Sequence, residues 1–326
     1  MTELTLVEAV NQALAHEMAV DESVVLLGED VGANGGVFRA TLNLQERFGT
    51  DRVRDTPLAE NLISGITIGM AAQGLKPVAE IQFMGFLYPA IDQLVNHAGR
   101  LRNRTRGRLT CPMVMRVPYG GGIHAPEHHS ESVEAMLAHI PGIRVVAPST
   151  PARAYGLLLA AIRDPDPVVF LEPKRVYRAV KETVEDNGNA LPLDVCYTLR
   201  GGTDLTLVSW GAMLQESLQA ADELGNQGIS VEVIDVATLK PLDTETILES
   251  VSRTGRCVIV QEAAQTCGLA AEISAQIGEQ GLLSLMAPVK RVAGYDTVMP
   301  LPRLEGHYMP SKDRIVRAAR QVLEYS

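Results

Sequence analysis

The sequence predicts an α/β protein of two domains, each a mainly parallel sheet covered by helices. Three observations carry this expectation. The chain has 326 residues, more than one ordinary domain and enough to bury a sizeable core. Short runs rich in Val, Ile and Leu alternate with amphipathic patterns along nearly all of it, as expected of parallel strands joined by crossover helices. The alternation breaks between about Pro173 and Gly202, where KETVEDNGNALPLD concentrates acidic and turn-forming residues. We therefore expect one domain over residues 1–185, a linker over 186–203 and a second domain over 204–326.

In order, Leu6, Val7, Val10, Leu14 and Met18 fall on one stripe of a helix over Leu4–Met18. The run VVLLGE predicts a strand over Val24–Glu29, followed by a helix over Asn61–Gln73 and a strand over Pro77–Gln82. A helix over Leu87–Arg100 precedes strands over Pro112–Pro118 and Ile143–Pro148; a helix over Ala152–Arg163 leads to a strand over Pro167–Glu172. These strands are nearly continuous in apolar content, as required when both faces of a sheet are covered. The second domain repeats the pattern. Strands are expected over Asp204–Gly211, Ser230–Asp235, Cys257–Glu262 and Val289–Gly294, with helices ending at Leu224, over Asp243–Val251, over Leu269–Ile277 and over Ser311–Leu323.

Composition narrows the function classes. Hydrophobic residues make up 46% and charged residues 21%, which excludes a disordered or fibrous chain. Twenty-nine basic residues against thirty-nine acidic ones leave a net charge of −10, which disfavours a general nucleic-acid binder. No apolar run approaches the ~20 residues a bilayer requires, so no membrane span is expected. The opening MTELTLVEAV lacks a basic region before an apolar one, so no secretory signal is expected. Cys111, Cys196, Cys257 and Cys267 show no Cys-x-x-Cys spacing, and a cytoplasmic location is the simplest expectation.

Walker A, G-x-G-x-x-G, G-x-S-x-G and H-E-x-x-H patterns are all absent, which removes support for nucleotide-triphosphate, nicotinamide and simple hydrolase chemistry. In DTPLAEN (Asp55–Asn61), Thr56 and Pro57 stand where a cap and first helical residue belong, so Glu60 enters the first turns of a helix, a position that by itself also suits a surface carboxylate. Gly65, Gly69 and Gly74 lie along that helix, and each costs about 1 kcal/mol against Ala in a helix interior. Gly65 and Gly69 share a face, which suggests a close-packed contact such as one between subunits. In YGGGIHAPEHHSES (Tyr119–Ser132), three glycines free the backbone to move or to approach a ligand, and His124, His128 and His129 crowd together. A solvated loop and metal ligation are open readings; the sharper one is an acid–base or hydrogen-bonding histidine at the mouth of a site. The five arginines of GRLRNRTRGR (Gly99–Arg108) read as a solvated face or an acidic partner's docking strip. AAIRDPDPVV (Ala160–Val169) offers carbonyls and two aspartates to a cation, or is a plain turn.

Together GEDVGANGGVFRAT, DTPLAEN, PVAEIQFMGF, GGGIHAPEHHSES, PGIRVVAPSTP, AAIRDPDPVVFLEPKRVYR, EVIDVATLKPLD and SRTGRCVIVQEA resemble the beta subunit of the thiamine-diphosphate-dependent decarboxylating component of 2-oxo acid dehydrogenase complexes. The resemblance runs in consistent order from about Leu4 to the C-terminus. It implies a transketolase-like pyrimidine-binding domain followed by a transketolase C-terminal-like domain. It implies that Glu60 hydrogen-bonds the aminopyrimidine ring nitrogen and favours the imino tautomer, whose nitrogen takes the proton from the thiazolium carbon. Leu58, Gln82 and Phe86 then line the pyrimidine, and His129 is the active-site histidine that meets substrate-derived intermediates or the lipoyl group. A potassium site would use Met113, Ala161, Ile162, Asp164 and Asp166, mostly through backbone carbonyls, with Pro165 between the aspartates as a departure from the family pattern. The Gly-Asp-Gly motif that holds the diphosphate through magnesium is absent from this sequence. The resemblance therefore implies an alpha subunit supplying magnesium and the diphosphate half in an α2β2 heterotetramer, and a dihydrolipoyl acyltransferase whose lipoyl domain accepts the acyl group. PEHHSES points to pyruvate, whereas FLEPKRVYRA, AGYDTVMP and HYMP also resemble branched-chain members; an acetoin-type enzyme and a mainly assembly role stay open at this point.

Overall fold

The computed structural model describes residues 2–325. A seven-stranded sheet runs in the order Thr238–Lys240, Arg144–Val146, Val168–Pro173, Val114–Tyr119, Lys76–Glu80, Val24–Gly28, Val53–Asp55. All its pairings are parallel except that of Thr238–Lys240, which is added antiparallel at one edge. A five-stranded sheet follows the order Lys290–Gly294, Cys257–Ala264, Leu205–Ser209, Val231–Asp235, Tyr197–Arg200, with only the last antiparallel.

Both faces of the larger sheet are covered, and the strand period of two explains how. Leu26, Val78, Val114 and Phe170 enter one apolar cluster, with Leu6, Val10 and Leu14 of helix Leu6–Val20 and Leu158 of helix Pro151–Arg163. Their strand neighbours Leu27, Ala79, Met115 and Leu171 enter the cluster on the other face, with Ile63 and Ile68 of helix Glu60–Ala72. Burying each such side chain contributes about 1.5–3 kcal/mol.

The structure departs from the sequence reading at several places. The first helix begins at Leu6 because Thr5 is an extended N-cap whose N–H donates to Glu8 Oε2 at 2.8 Å, and Thr2–Thr5 pairs antiparallel with Lys181–Val184. Residues 197–200, read as part of the linker, form the edge strand of the smaller sheet. Thr238–Lys240, within the span assigned to the second domain, pairs instead with Arg144–Val146 of the larger sheet. Strand Val53–Asp55 and helix Pro302–Tyr308 carry no periodic signal long enough to read.

Near the contact between the two sheets, Glu134 is fully buried; its Oε1 accepts from Trp210 Nε1 at 3.3 Å while Oε2 has no partner. Burial, reinforced by the charge of Glu262, pushes its carboxyl from 4.5 to about 7. The native state thus holds a proton that the unfolded chain has released, so stability falls as pH rises from about 4.5 through 7, by about 3 kcal/mol in all. Glu134→Gln keeps the acceptor for Trp210 and removes this titration. Urea midpoints of the variant should decline less across that window and exceed those of the parent at pH 8; an unchanged slope would contradict the assignment.

Candidate active site

Register brings the functional loops to one edge of the larger sheet. Gly28 lies opposite Asp55 on one side and Glu80 on the other, and Glu80 lies opposite Arg116. The loops that leave Val24–Gly28, Val53–Asp55, Lys76–Glu80 and Val114–Tyr119 therefore emerge together at the carboxyl ends of parallel strands, where open α/β sheets place ligands. The loop after Asp55 is tied down there. Thr56 N–H donates to the Gly28 carbonyl at 2.9 Å, and Asp55 Oδ1 accepts from Gly32 N–H at 2.7 Å. Thr56 is consequently not a helix cap: the helix starts at Glu60, with Ala59 as its N-cap.

Glu60 does not stand alone. Glu29, the acid directly after the buried run VVLLG, is 8% exposed, and its Oε1 has no hydrogen-bond partner. Its carboxyl is raised first by burial and then by the charges of Glu60 and Asp30. Asp30 Oδ2 accepts from Gln82 Nε2 at 3.5 Å, which joins the first loop to the third. Gln82 leads into Phe83 and Phe86, whose rings lie 5.7 Å apart; His129 packs against them at 4.4 and 5.1 Å. His129 Nδ1 bonds the Glu127 carbonyl at 2.8 Å. Gln82, Phe86 and His129 are thus brought together, and Glu60 stands within electrostatic reach of Glu29. Leu58, on the loop that leads into Glu60, is 80% exposed. Sequence reasoning assigns no role to Glu29 or Phe83; an acid placed directly after a wholly apolar strand is the signal that marks Glu29.

Under this edge lies a buried ionic network. Arg116 Nη1 donates to Glu80 Oε2 at 2.7 Å, and its Nε and Nη2 donate to the two Glu172 oxygens at 2.7 and 2.9 Å. Tyr177 hydroxyl also donates to Glu172. Burial opposes the Arg116 charge, and the two carboxylates outweigh it, holding the guanidinium firmly protonated.

The proposed cation ligands gather at the opposite, amino end of the strands. Helix Pro151–Arg163 ends there, and Ala161 and Ile162 are buried. The helical donor for the Ala161 carbonyl would be position 165, a proline with no N–H, and the Asp166 N–H that would serve Ile162 goes to Asp164 Oδ1 at 2.8 Å. The Met113 carbonyl accepts from Val168 N–H at 3.0 Å. Asp164 pairs with Arg144 at 3.1 Å and Asp166 with Arg102 at 2.7 Å, beside a cavity of about 300 Å³.

Among the described residues, no three His, Cys, Asp or Glu side chains gather as a metal-binding group, so the histidine crowding is not a metal centre of that kind. Nor is any helix among them long and apolar enough to cross a membrane. Within the arginine strip, Arg100 and Arg104 donate to the Val95 and Asn96 carbonyls at 3.0 and 2.6 Å, so these two brace the preceding helix. A Cβ at Gly69 would meet nothing within 4 Å, and one at Gly65 only the Gln93 side chain, so no backbone among the described residues packs there. A groove of about 930 Å³, lined by Met136, His139, Leu242, Leu269 and Glu272, contains none of the site residues; the chemistry-bearing groups lie on the open carboxyl edge instead.

This geometry has counterparts in known proteins. The transketolase pyrimidine-binding domain family model matches residues 2–180, and the transketolase C-terminal domain model matches residues 195–315. The chain is 49% identical over 325 residues to the pyruvate dehydrogenase E1 component subunit beta of Bacillus subtilis (strain 168), covering 100% of both chains. It is 49% identical to the subunit of the same name from Acholeplasma laidlawii, covering 99% of this chain and 98% of that one. A solved structure described as a split gene transketolase, inactive beta4 tetramer, shares the fold with a TM-score of 0.80 at 22% identity, covering 99% of each chain. With two transketolase-like domains and full-length identity at this level, the chain belongs to the family of pyruvate dehydrogenase E1 component beta subunits.

Proposed function

We propose that this chain supplies the pyrimidine half of a thiamine diphosphate site in an enzyme that oxidatively decarboxylates pyruvate and passes the acetyl group to the lipoyl arm of a dihydrolipoyl acyltransferase. The observation that carries this reading is the convergence of Glu29, Glu60, Gln82, Phe86 and His129 on one sheet edge. The residues fit an aminopyrimidine. Glu29 Oε1 is buried without a partner, Leu58 presents an uncovered apolar side chain, and Phe86 offers an aromatic face.

Bound thiamine diphosphate, held by Glu60, Leu58, Gln82 and Phe86, would supply the nucleophilic, electron-accepting carbon chemistry that decarboxylation of a 2-oxo acid needs. Glu60 shares a proton with the pyrimidine ring nitrogen. Glu29, its carboxyl raised by burial and by its acidic neighbours, lines the same corner beside Glu60. Leu58 and Phe86 orient the ring and exclude water from one side. His129, braced by Phe83 and by the Glu127 carbonyl, presents its imidazole to the substrate-derived group or the arriving lipoyl chain.

No Gly-Asp-Gly segment stands in this sequence, so we assign magnesium and the diphosphate to an alpha subunit in an α2β2 assembly. The uncovered Gly65–Gly69 face of helix Glu60–Ala72 is available for subunit contact. Met113, Ala161, Ile162, Asp164 and Asp166 suit potassium: Pro165 leaves the Ala161 carbonyl, and the bond from Asp166 N–H to Asp164 leaves the Ile162 carbonyl, without the usual helical donor. Potassium should then raise the unfolding midpoint relative to choline at equal ionic strength, by the equivalent of about 1–3 kcal/mol near saturation. Equal midpoints would remove the site.

The function itself is tested by reconstituting the chain with its alpha partner and comparing carbon dioxide release from pyruvate and from 2-oxoisovalerate. Pyruvate should be preferred by about tenfold or more in kcat/KM, since pocket size discriminates small side chains on that scale. A reversed preference would overturn the substrate assignment in favour of the branched-chain reading.

A further inference from the structure

The triglycine segment that precedes the histidines is neither loose nor open to a ligand. Gly120 N–H donates to the Glu131 carbonyl at 2.9 Å, closing residues 120–131 into a compact loop. Past Tyr119 the chain leaves the sheet, and the next amides need acceptors from elsewhere. Two glutamates remote in sequence provide them. Glu262, in strand Cys257–Ala264, accepts from Gly121 N–H and, at 3.3 Å, from Ser132 hydroxyl at the far end of the loop. Glu305, in helix Pro302–Tyr308, accepts from Gly122 N–H at 2.7 Å and His124 N–H at 3.0 Å.

These carboxylates explain the glycines. A Cβ at Gly120, where φ is +81°, would lie 2.8 Å from Glu262 Oε1; one at Gly121 would lie 2.7 Å from Met299 Cε and 3.1 Å from Glu305 Oε1. One at Gly122, where φ is +84°, would strike Arg175. The two glutamates are 4% and 3% exposed, and their charge is balanced by Arg175 and by Lys174, which is 3% exposed and whose Nζ makes no hydrogen bond. Lys174 Nζ also stands 5.7 Å over the Phe83 ring on which His129 packs. The loop is therefore fixed at its root by the C-terminal half of the chain and at its tip by Phe83, Phe86 and Tyr88 against His128 and His129.

We propose that Glu262 and Glu305 are positioning residues that act through the loop to set where His129 stands, so that the C-terminal domain shapes a site to which it contributes no reacting group. The proposal rests on the reading of His129 as an active-site residue. Charge-assisted bonds to two amides from separate oxygens cannot be reproduced by an amide side chain, so Glu305→Gln loses one of the pair.

The test combines exchange and a double-mutant cycle. In the isolated full chain, Glu305→Gln should speed amide hydrogen exchange of residues 121–124 by about tenfold or more while the strands keep their protection. In the reconstituted enzyme, Glu305→Gln should slow acyl transfer to a lipoyl domain about ten- to a hundredfold, the scale of a small misplacement, with KM for the 2-oxo acid little changed. Added to His129→Ala, it should cost nothing further, because its effect passes through that histidine. Glu262→Ala, which removes the single oxygen that accepts from both Gly121 N–H and the Ser132 hydroxyl, should behave alike, which guards against a folding defect peculiar to one variant. Unchanged exchange at 121–124, or full additivity with His129→Ala, would overturn the proposal. Unchanged turnover in His129→Ala alone would overturn the histidine's role and the positioning proposal with it.

Discussion

Glu60→Gln should abolish decarboxylation in the reconstituted enzyme, lowering kcat by about 10²–10⁴-fold, the range assigned to a positioned proton-sharing group. Shape and helix start are retained, since Gln is nearly isosteric and Glu60 is the first residue of its helix, where Ala59 is the N-cap and no side chain makes a cap bond. Assembly with the alpha partner and the acyltransferase should therefore survive, and the variant should co-purify with both. This combination separates a catalytic subunit from one that only assembles a complex: turnover at the parent rate would remove Glu60 from the chemistry. Glu29→Gln should fall between parent and Glu60→Gln, because it alters the charge beside Glu60 and leaves Glu60 in place.

The largest stability effect is expected at Arg116. Its side chain is wholly buried, as is that of Glu172, and Glu80 is 2% exposed. Replacing Arg116 by Met keeps most of the volume and strands two carboxylates without their shared cation. Breaking such a buried network costs about 3–5 kcal/mol. For a folding unit the size of the larger domain that corresponds to a fall of roughly 6–20 °C in the unfolding midpoint, from about 2–4 °C per kcal/mol. Arg102→Ala, which breaks the half-exposed pair with Asp166, should change stability little by comparison. Thermal and urea unfolding of the two variants side by side would check the contrast. A small effect at Arg116 would mean that the network carries little of the fold's stability.

Much of the architecture was legible in the sequence because buried parallel strands and amphipathic helices write their periods plainly. Val24–Gly28, Val114–Tyr119 and Val168–Pro173 are buried throughout, and each was read as a strand within a few residues. What escaped was set by pairing rather than by period. Thr2–Thr5 and Tyr197–Arg200 are short edge strands whose apolar content is too sparse to identify them, and Thr238–Lys240 returns to a sheet built almost wholly from residues before 174. At the site, the loops that carry Gln82, Phe86 and His129 could be located from the strands they follow. Glu262 and Glu305 could not, because nothing local marks a carboxylate that will reach back more than 130 residues to bind backbone amides. The triglycine segment was read as freedom; in the structure it is a close fit against those two side chains.

The central claim is that this chain holds half of a cofactor site and needs a second chain for the other half. Calorimetric titration of thiamine diphosphate with magnesium tests it most directly, first into the purified chain and then into the chain assembled with its alpha partner. The account predicts no saturable binding by the chain alone and one cofactor bound per αβ pair in the assembly. Stoichiometric binding by the chain alone, with an affinity equal to that of the assembly, would contradict it.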